Sequence, residues 1–185
     1  GSSVEIKPGA VNWMTAGKGV VHSERTPEYL RQSEQTLHGL QIWVALPKNK
    51  EETAPSFVHV PSEEIPTWEQ DGIHMKLIAG KAFGKTSPVP VYSQLYLLEI
   101  KSSKEVLLDL GDHLFGESAL YILQGNISSE GTSYGAKQLL IAKERKLCTF
   151  TIEENTTIYI LGGEPFPEER YIDWNFVASS KALIE

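Results

Sequence analysis

The sequence predicts an all-β protein made of two barrel-like units in tandem, of which the first is incomplete. Short apolar runs rich in β-branched residues recur along most of the 185 residues, separated by Gly, Pro, Asn and Asp. This rhythm is typical of β-sandwiches and β-barrels, and few segments have the spacing of an amphipathic helix. A polar, turn-forming stretch at residues 61–72 interrupts the rhythm. We therefore predict two domains, at residues 1–62 and 63–185.

Four strands are predicted before this interruption, and each is an apolar run that contains or adjoins a turn-forming residue at one of its ends. They cover residues 4–7, 19–23, 39–46 and 56–60. So few strands leave open edges, whose backbone groups must be satisfied by solvent or by another chain. The first unit is therefore expected to be incomplete by itself.

Seven strands are predicted in the second unit, followed by a short C-terminal helix. The strands cover residues 74–79, 94–100, 104–108, 118–123, 138–141, 149–152 and 157–161. Two of them echo each other, since both run through Tyr-Ile-Leu toward a glycine, as buried strands that end in tight turns do. Residues 179–185 predict the helix, with Ser179 or Ser180 as its N-terminal cap.

Composition limits the classes of partner. The chain has 24 acidic and 17 basic residues and a net charge of −7, which disfavours direct binding of nucleic acid or of an anionic membrane. No apolar run approaches the ~20 residues of a transmembrane helix, and the start, Gly1-Ser2-Ser3, does not resemble a secretory signal. The single cysteine, Cys148, excludes an internal disulfide and is interpreted as a passive residue at the start of a strand. A reducing, cytoplasmic location is expected.

The most informative pair of residues is His22 and Glu24, at the end of the glycine-containing stretch 8–24. In a strand, side chains two residues apart project from the same face at roughly 7 Å spacing, so both can reach one metal ion. The pair is half of a site, because the non-haem iron arrangement needs two histidines and one carboxylate. A solvated polar pair is the commoner outcome for His-x-Glu alone, but the preceding stretch favours metal ligands.

These residues and several others resemble the pirin family of the cupin superfamily, over nearly the whole chain. The matching segments are 7–9, 12–17, 22–24, 37–46 and 161–165, which read KPG, NWMTAG, HSE, LHGLQIWVAL and LGGEP. Thr15 stands where the general cupin motif has proline, and two further residues precede His22, as in pirins. The resemblance implies cupin-type double-stranded β-helix barrels of the jelly-roll kind in tandem.

The resemblance also implies a metal centre. His22 and Glu24 match the third and fourth ligands of an iron-type site, whose first two ligands form a His-x-His pair on an earlier strand. No His-x-His occurs in this sequence, and members of the family usually continue into a C-terminal helix and tail. We therefore expect a pirin-like chain that lacks the N-terminal His-x-His strand and the C-terminal tail. We expect it to bind iron, or another divalent transition metal, at a substoichiometric level.

In pirins such a centre implies quercetin 2,3-dioxygenase activity, in which the metal binds the enolate oxygen of a flavonol beside dioxygen. Glu24 is then the candidate catalytic residue, as metal ligand and proton acceptor, and His22 sets the geometry. This chain alone is expected to be inactive. The family also includes iron-dependent transcriptional co-regulators, so a non-enzymatic role through a protein partner is the alternative. A metal-free scaffold is the third interpretation.

Other candidate residues carry weaker signals. The remaining histidines have no second donor at strand spacing; they are His38, His59, His74 and His113. The second unit is therefore expected to be metal-free. Four further side chains either line a flat aromatic pocket or fill a barrel interior, and core packing is favoured: Trp13, Met14, Trp43 and Phe57. The sequence has no nucleophile elbow, phosphate loop or dinucleotide fingerprint, so hydrolase and nucleotide-binding functions have no support.

Overall fold

The computed structural model describes residues 1–34, 36–142 and 149–184, and Cys148 lies outside the described residues. Within them the regular structure is β-strand, with short 3₁₀ turns and no α-helix. The all-β prediction is therefore confirmed. The 3₁₀ turns are Glu28–Leu30, Lys48–Lys50, Ser62–Glu64 and Lys181–Leu183. None of the helical turns in this part of the chain is long and apolar enough to cross a membrane.

Fifteen strands occur in the described residues. In chain order they are β1 (Val11–Thr15), β2 (Ser56–Val60), β3 (Thr67–Gln70), β4 (Ile73–Ala82), β5 (Lys85–Thr86), β6 (Leu95–Ser102), β7 (Val106–Asp109), β8 (Glu117–Gln124), β9 (Asn126–Ser129), β10 (Thr132–Gly135), β11 (Leu139–Ile141), β12 (Thr149–Ile152), β13 (Thr156–Gly163), β14 (Tyr171–Asp173) and β15 (Phe176–Ala178). The predicted strands 56–60 and 149–152 coincide with β2 and β12. The other predicted strands of the second unit overlap β4, β6, β7, β8, β11 and β13.

Strands β3 to β13 form the second unit, a barrel of two facing sheets. The large sheet has the order β11-β8-β13-β6-β4-β3 with β5 paired to β4, and the small sheet has the order β10-β9-β12-β7. Alternate residues of each strand point between the sheets, so Leu98 and Ile158 of the large sheet share a core with Ile127 and Phe150 of the small one. Each of these four side chains is at most 1% exposed. The two echoing runs become neighbours, since β8 and β13 pair antiparallel.

A second apolar cluster joins the first unit to the outer face of the large sheet. The register of β4 against β6 shifts between Leu77 and Ala79. Residues two apart normally share a face, but this bulge turns Ala79 outward while Leu77 stays in the barrel core. Ala79 and Leu97 pack with Val60 of β2, and Trp13 of β1 lies partly buried against them. The β1–β2 hairpin therefore has one face on the second unit and one face directed away from it.

The first unit differs most from its predicted strands. Residues 4–7, 19–23 and 39–46 have irregular backbone, and Val11–Thr15 forms a strand instead, so these three strand predictions are wrong. A strand needs a partner for its backbone groups, and β2 pairs with β1 alone among the described residues. The predicted C-terminal helix is a single 3₁₀ turn, in which Ser180 makes no side-chain capping hydrogen bond. The domain division after residue 62 stays a prediction.

The C-terminal residues return to the first unit. After β13 the chain passes Arg170, whose guanidinium donates to the carbonyl oxygen of Leu46. It then forms the hairpin of β14 and β15. The first unit is thus contacted both by the large sheet and by the C-terminal residues.

Candidate functional site

The outward side of the β1–β2 hairpin carries a polar pair next to an apolar pair. The register places Asn12 opposite His59 and Met14 opposite Phe57. Because side chains alternate along a strand, these four residues point away from the second unit, and Met14 and Phe57 are each 37% exposed. We call these four residues the outward face.

His59 and Asn12 are joined by a hydrogen bond of 2.7 Å between Nδ1 of the ring and Oδ1 of the amide. An amide oxygen only accepts, so Nδ1 of a neutral His59 carries the proton and Nε2 is the acceptor atom of the ring. The outward face therefore offers an acceptor nitrogen beside two apolar side chains. Such a combination suits a flat ligand that carries hydroxyl groups.

The four side chains that the sequence analysis assigned to either a pocket or a core do not all lie together. Trp13 packs on the second apolar cluster, as the core interpretation expects, whereas Met14 and Phe57 lie on the outward face. Trp43 is 52% exposed on irregular backbone. Sequence reasoning ranked His59 low and missed its pairing. The signal that identifies this pairing is the alternation of side chains along β1 and β2, which can be interpreted only once the two strands are paired in register.

A tight turn after β1 directs the chain toward His22 and Glu24. The backbone N–H of Lys18 donates to the carbonyl oxygen of Thr53, with an N···O distance of 3.0 Å. Gly17 has a φ of +52°, and a Cβ at this position would lie 2.1 Å from the same oxygen. Only glycine combines this dihedral with so close an approach to another backbone group. The turn thus explains why a glycine ends the matching segment 12–17.

His22 and Glu24 follow this turn on exposed, irregular backbone. The strand that would place both side chains on one face is not formed, so their spacing does not by itself aim them at one point. Their assignment as metal ligands stays a prediction. Their donor atoms, an imidazole nitrogen and carboxylate oxygens, are of the types that iron and similar divalent ions accept.

The donors do not complete a metal centre in the described part of the chain. No group of three His, Cys, Asp or Glu side chains converges anywhere in it. His38 is exposed on irregular backbone, His74 lies on β4, and His113 stacks on the ring of Phe83 with 4.2 Å between centroids. The described residues therefore match a divalent transition metal in donor type but not in donor number, and do not fit a resident iron ion by themselves.

Two family models match the chain. The model described as Pirin matches residues 1–44, and the model described as Pirin C-terminal cupin domain matches residues 96–185. The "Pirin-like protein" of Caulobacter vibrioides is 42% identical over 186 residues, which span 100% of this chain and 64% of that protein. The "Pirin" of Homo sapiens is 36% identical over 101 residues, which span 55% of this chain and 33% of that protein.

A solved structure also has the same fold as this chain. The crystal structure of quercetin 2,3-dioxygenase from Acinetobacter baumannii matches with a TM-score of 0.82 and 28% sequence identity, over 97% of this chain and 58% of that chain. This likeness and the match to the cupin domain confirm the predicted cupin-type fold. The chain spans less than two thirds of the length of each of these three proteins.

Proposed function

This chain belongs to the pirin family, and we propose on that basis that the complete protein is an oxidoreductase of the quercetin 2,3-dioxygenase type, acting on a flavonol. The proposal is supported by the likeness to the Acinetobacter baumannii enzyme over 97% of this chain. It is made for the complete protein, since this chain spans 58% of that enzyme.

The outward face is the observation that carries the proposal, and we assign it to the substrate. The rings of a flavonol are flat and largely apolar, and Met14 and Phe57 offer a thioether and an aromatic surface for them to contact. A phenolic hydroxyl donates to Nε2 of His59, which the hydrogen bond to Asn12 keeps as the acceptor. Ring contact and hydroxyl recognition thus occur on the same face of the hairpin.

We assign His22 and Glu24 to the metal that such a reaction uses, as two of its donors. The remaining donors then come from outside the described residues, because no third donor converges with these two within them. Consistent with two donors only, we expect iron or another divalent transition metal to bind the 185-residue chain substoichiometrically. We expect that chain alone to be inactive.

The test is the consumption of quercetin and dioxygen by the complete protein after loading with iron. Phe57→Ala removes ring surface from the outward face, and we expect it to raise KM about tenfold, since a buried aromatic contact contributes about 1.5 kcal/mol. Leu139→Ala is the matched control, because Leu139 is an exposed apolar residue of β11, on the second unit. Iron-loaded protein that consumes no flavonol would overturn the proposal.

A second candidate function is a non-enzymatic regulator that acts through a protein partner. Two exposed apolar side chains of the first unit favour it, since Val21 is 98% and Leu37 is 95% exposed. The net charge of −7 also suits a protein partner better than DNA. A pull-down whose partners change with the oxidation state of iron, from protein that consumes no flavonol, would support this candidate. Flavonol consumption with no redox-dependent partner would contradict it.

A further inference from the structure

The part of the first unit that carries His22 and Glu24 is held at both ends by cationic side chains from elsewhere in the chain. We call residues 9–46 the ligand-bearing segment. Lys76 of β4 contacts its first residue and Arg170 contacts its last. We propose that Lys76 and Arg170 are positioning residues that fix the ligand-bearing segment on the second unit. Its importance for metal binding rests on the proposed function, whereas the positioning itself does not.

Lys76 holds the start of the segment through a buried hydrogen bond. Its Nζ donates to the carbonyl oxygen of Gly9 at 2.5 Å, and the residue is 8% exposed. Gly9 has a φ of +81°, and a Cβ there would lie 2.6 Å from Oγ of Ser62 and 3.1 Å from Nζ of Lys76. A residue other than glycine would therefore be strained at this position and would displace the side chain of Ser62. A buried ammonium without such an acceptor would be strongly unfavourable, so the contact fixes both partners.

Glu99 compensates the charge of Lys76 only in part, because its carboxylate also binds two other side chains. Glu99 lies opposite Lys76 in the sheet register, but its carboxylate accepts from Lys101 at 2.8 Å and from the hydroxyl of Tyr159 at 2.6 Å. Burial lowers the pKa of Lys76, against the attraction of Glu99, and Lys101 lowers that pKa further. The carbonyl of Gly9 is thus the acceptor to which Nζ of Lys76 donates.

Arg170 holds the end of the segment through several contacts at once. Its Nε and Nη2 donate to the carbonyl oxygen of Leu46 at 3.3 and 3.2 Å, and Nε lies 3.3 Å from Oε1 of Glu51. The side chains of Arg170 and Glu51 are each 11% exposed. Ser179 donates to the other carboxylate oxygen of Glu51 at 2.8 Å, and the ring of Phe166 lies 4.5 Å from the guanidinium. A planar guanidinium engaged on this many sides has little freedom to move.

The ends matter because little else orders the interior of the segment. Its described residues contain β1 and a single 3₁₀ turn, Glu28–Leu30, and otherwise have irregular backbone. Its position therefore depends on the pairing of β1 with β2, on the hydrogen bond from Lys18 to Thr53, on packing against the second unit and on the two fixed ends. Displacements of about 1 Å in a site can lower activity roughly 100-fold. Releasing either end is therefore expected to matter at His22 and Glu24.

The first experiment measures amide hydrogen exchange in the 185-residue chain. Lys76→Met is expected to raise exchange in β1 about tenfold, since a hydrogen bond to a charged group contributes about 1.5–3 kcal/mol. Arg170→Met is expected to raise exchange similarly at the amides of Lys50, Glu51 and Thr53, which donate to backbone carbonyl oxygens beside the contacts of Arg170. Exchange in β6 and β13 should stay unchanged. Lys81→Met and Lys181→Met are the matched controls, because Lys81 is exposed on β4 and Lys181 lies over the ring of Tyr171, so both cations are outside these two contacts.

Two further variants guard against simple loss of folding. Arg170→Met leaves the carboxylate of Glu51 buried without its partner, so the double variant Glu51→Gln/Arg170→Met repeats the test without that charge. Arg170→Lys keeps the charge and one donor, and should restore part of the protection that Arg170→Met loses. Exchange that is unchanged in both segments, or that rises equally in β6 and β13, would overturn the proposal.

The second experiment measures the affinity of the complete protein for Co²⁺. Lys76→Met and Arg170→Met should each weaken it about tenfold, while the control variants leave it unchanged. If the variants lose exchange protection but keep their Co²⁺ affinity, Lys76 and Arg170 do not position His22 and Glu24 for metal binding. Unmutated protein that binds no Co²⁺ would overturn the proposed function instead, and the exchange data would still decide the positioning.

Discussion

Replacing Gly17 by alanine tests the turn that leads from β1 to the candidate ligands. A Cβ at this residue would lie 2.1 Å from the carbonyl oxygen of Thr53, to which Lys18 donates at 3.0 Å. This oxygen must move if alanine is to fit, and its movement breaks the hydrogen bond. We therefore expect Gly17→Ala to separate the turn from residue 53 and to destabilise the first unit.

The magnitude follows from two separate costs. A left-handed dihedral costs a non-glycine residue about 1–2 kcal/mol. Loss of the hydrogen bond from Lys18 adds about 0.5–1.5 kcal/mol, which gives a total of about 1.5–3.5 kcal/mol. Gly84 isolates the first cost, since it has a φ of +68° and no atom within 4 Å of an added Cβ. Gly84→Ala should therefore cost only about 1–2 kcal/mol.

The assay is urea unfolding followed by tryptophan fluorescence, to which Trp13 of the first unit and Trp68 of the second both contribute. With a urea dependence of about 2 kcal/mol per molar, the midpoint of Gly17→Ala should lie about 0.3–0.8 M below that of Gly84→Ala. Equal midpoints for the two variants would refute the reasoning, because Gly17 approaches another backbone group whereas Gly84 does not.

Four other predictions follow from burial and from charge. His22→Ala should lower the metal affinity of the complete protein while changing stability by no more than about 0.5 kcal/mol, because His22 is exposed, and unchanged metal content would contradict its role as a ligand. Leu98→Ala should cost about 2.7–5.0 kcal/mol, since Leu98 is fully buried in the barrel core, and a melting temperature close to that of unmutated protein would show that the site collapses around the smaller side chain. Burial, and then the hydrogen bond to Glu99, raise the pKa of Tyr159. The contribution of this tyrosine to stability is therefore present below about pH 10 and is lost as the pH rises further. In urea midpoints measured against pH, Tyr159→Phe should remove this loss of stability at alkaline pH. Burial raises the pKa of Glu99, but the bonds from Lys101 and Tyr159 outweigh burial, so the pKa is lowered. The charged carboxylate therefore contributes stability that is lost as the pH falls below about 4.3, and Glu99→Gln should reduce this loss in urea midpoints measured against pH.

The second unit could be predicted from the sequence because its strands show local patterns of apolar and polar residues. Residues 149–152 alternate apolar and polar side chains and form β12 as predicted, and the run 157–161 lies within β13. Both strands find partners on both sides, so the local preference and the tertiary structure agree. Strands β9 and β10 were missed, since their runs of Ser, Thr and Gly carry a weak apolar signal.

The first unit could be predicted less well because its strands depend on partners. Residues 39–46 have a strongly apolar run yet remain irregular, whereas the less apolar run Val11–Thr15 is a strand because it pairs with β2. For the candidate site, the sequence identified the segment that ends in His22 and Glu24 and its glycines. It did not identify the pairing of His59 with Asn12, because 47 residues separate them.

The sequence by itself determined the fold class and the family, since apolar alternation and short motifs are properties of neighbouring residues. Tertiary structure alone decided which side of the hairpin faces outward and what holds the ligand-bearing segment. Lys76 reaches Gly9 across 67 positions of the chain, and Arg170 reaches Leu46 across 124. Contacts at such separations leave no periodic pattern in the sequence, because they depend on how strands pair and sheets pack in space.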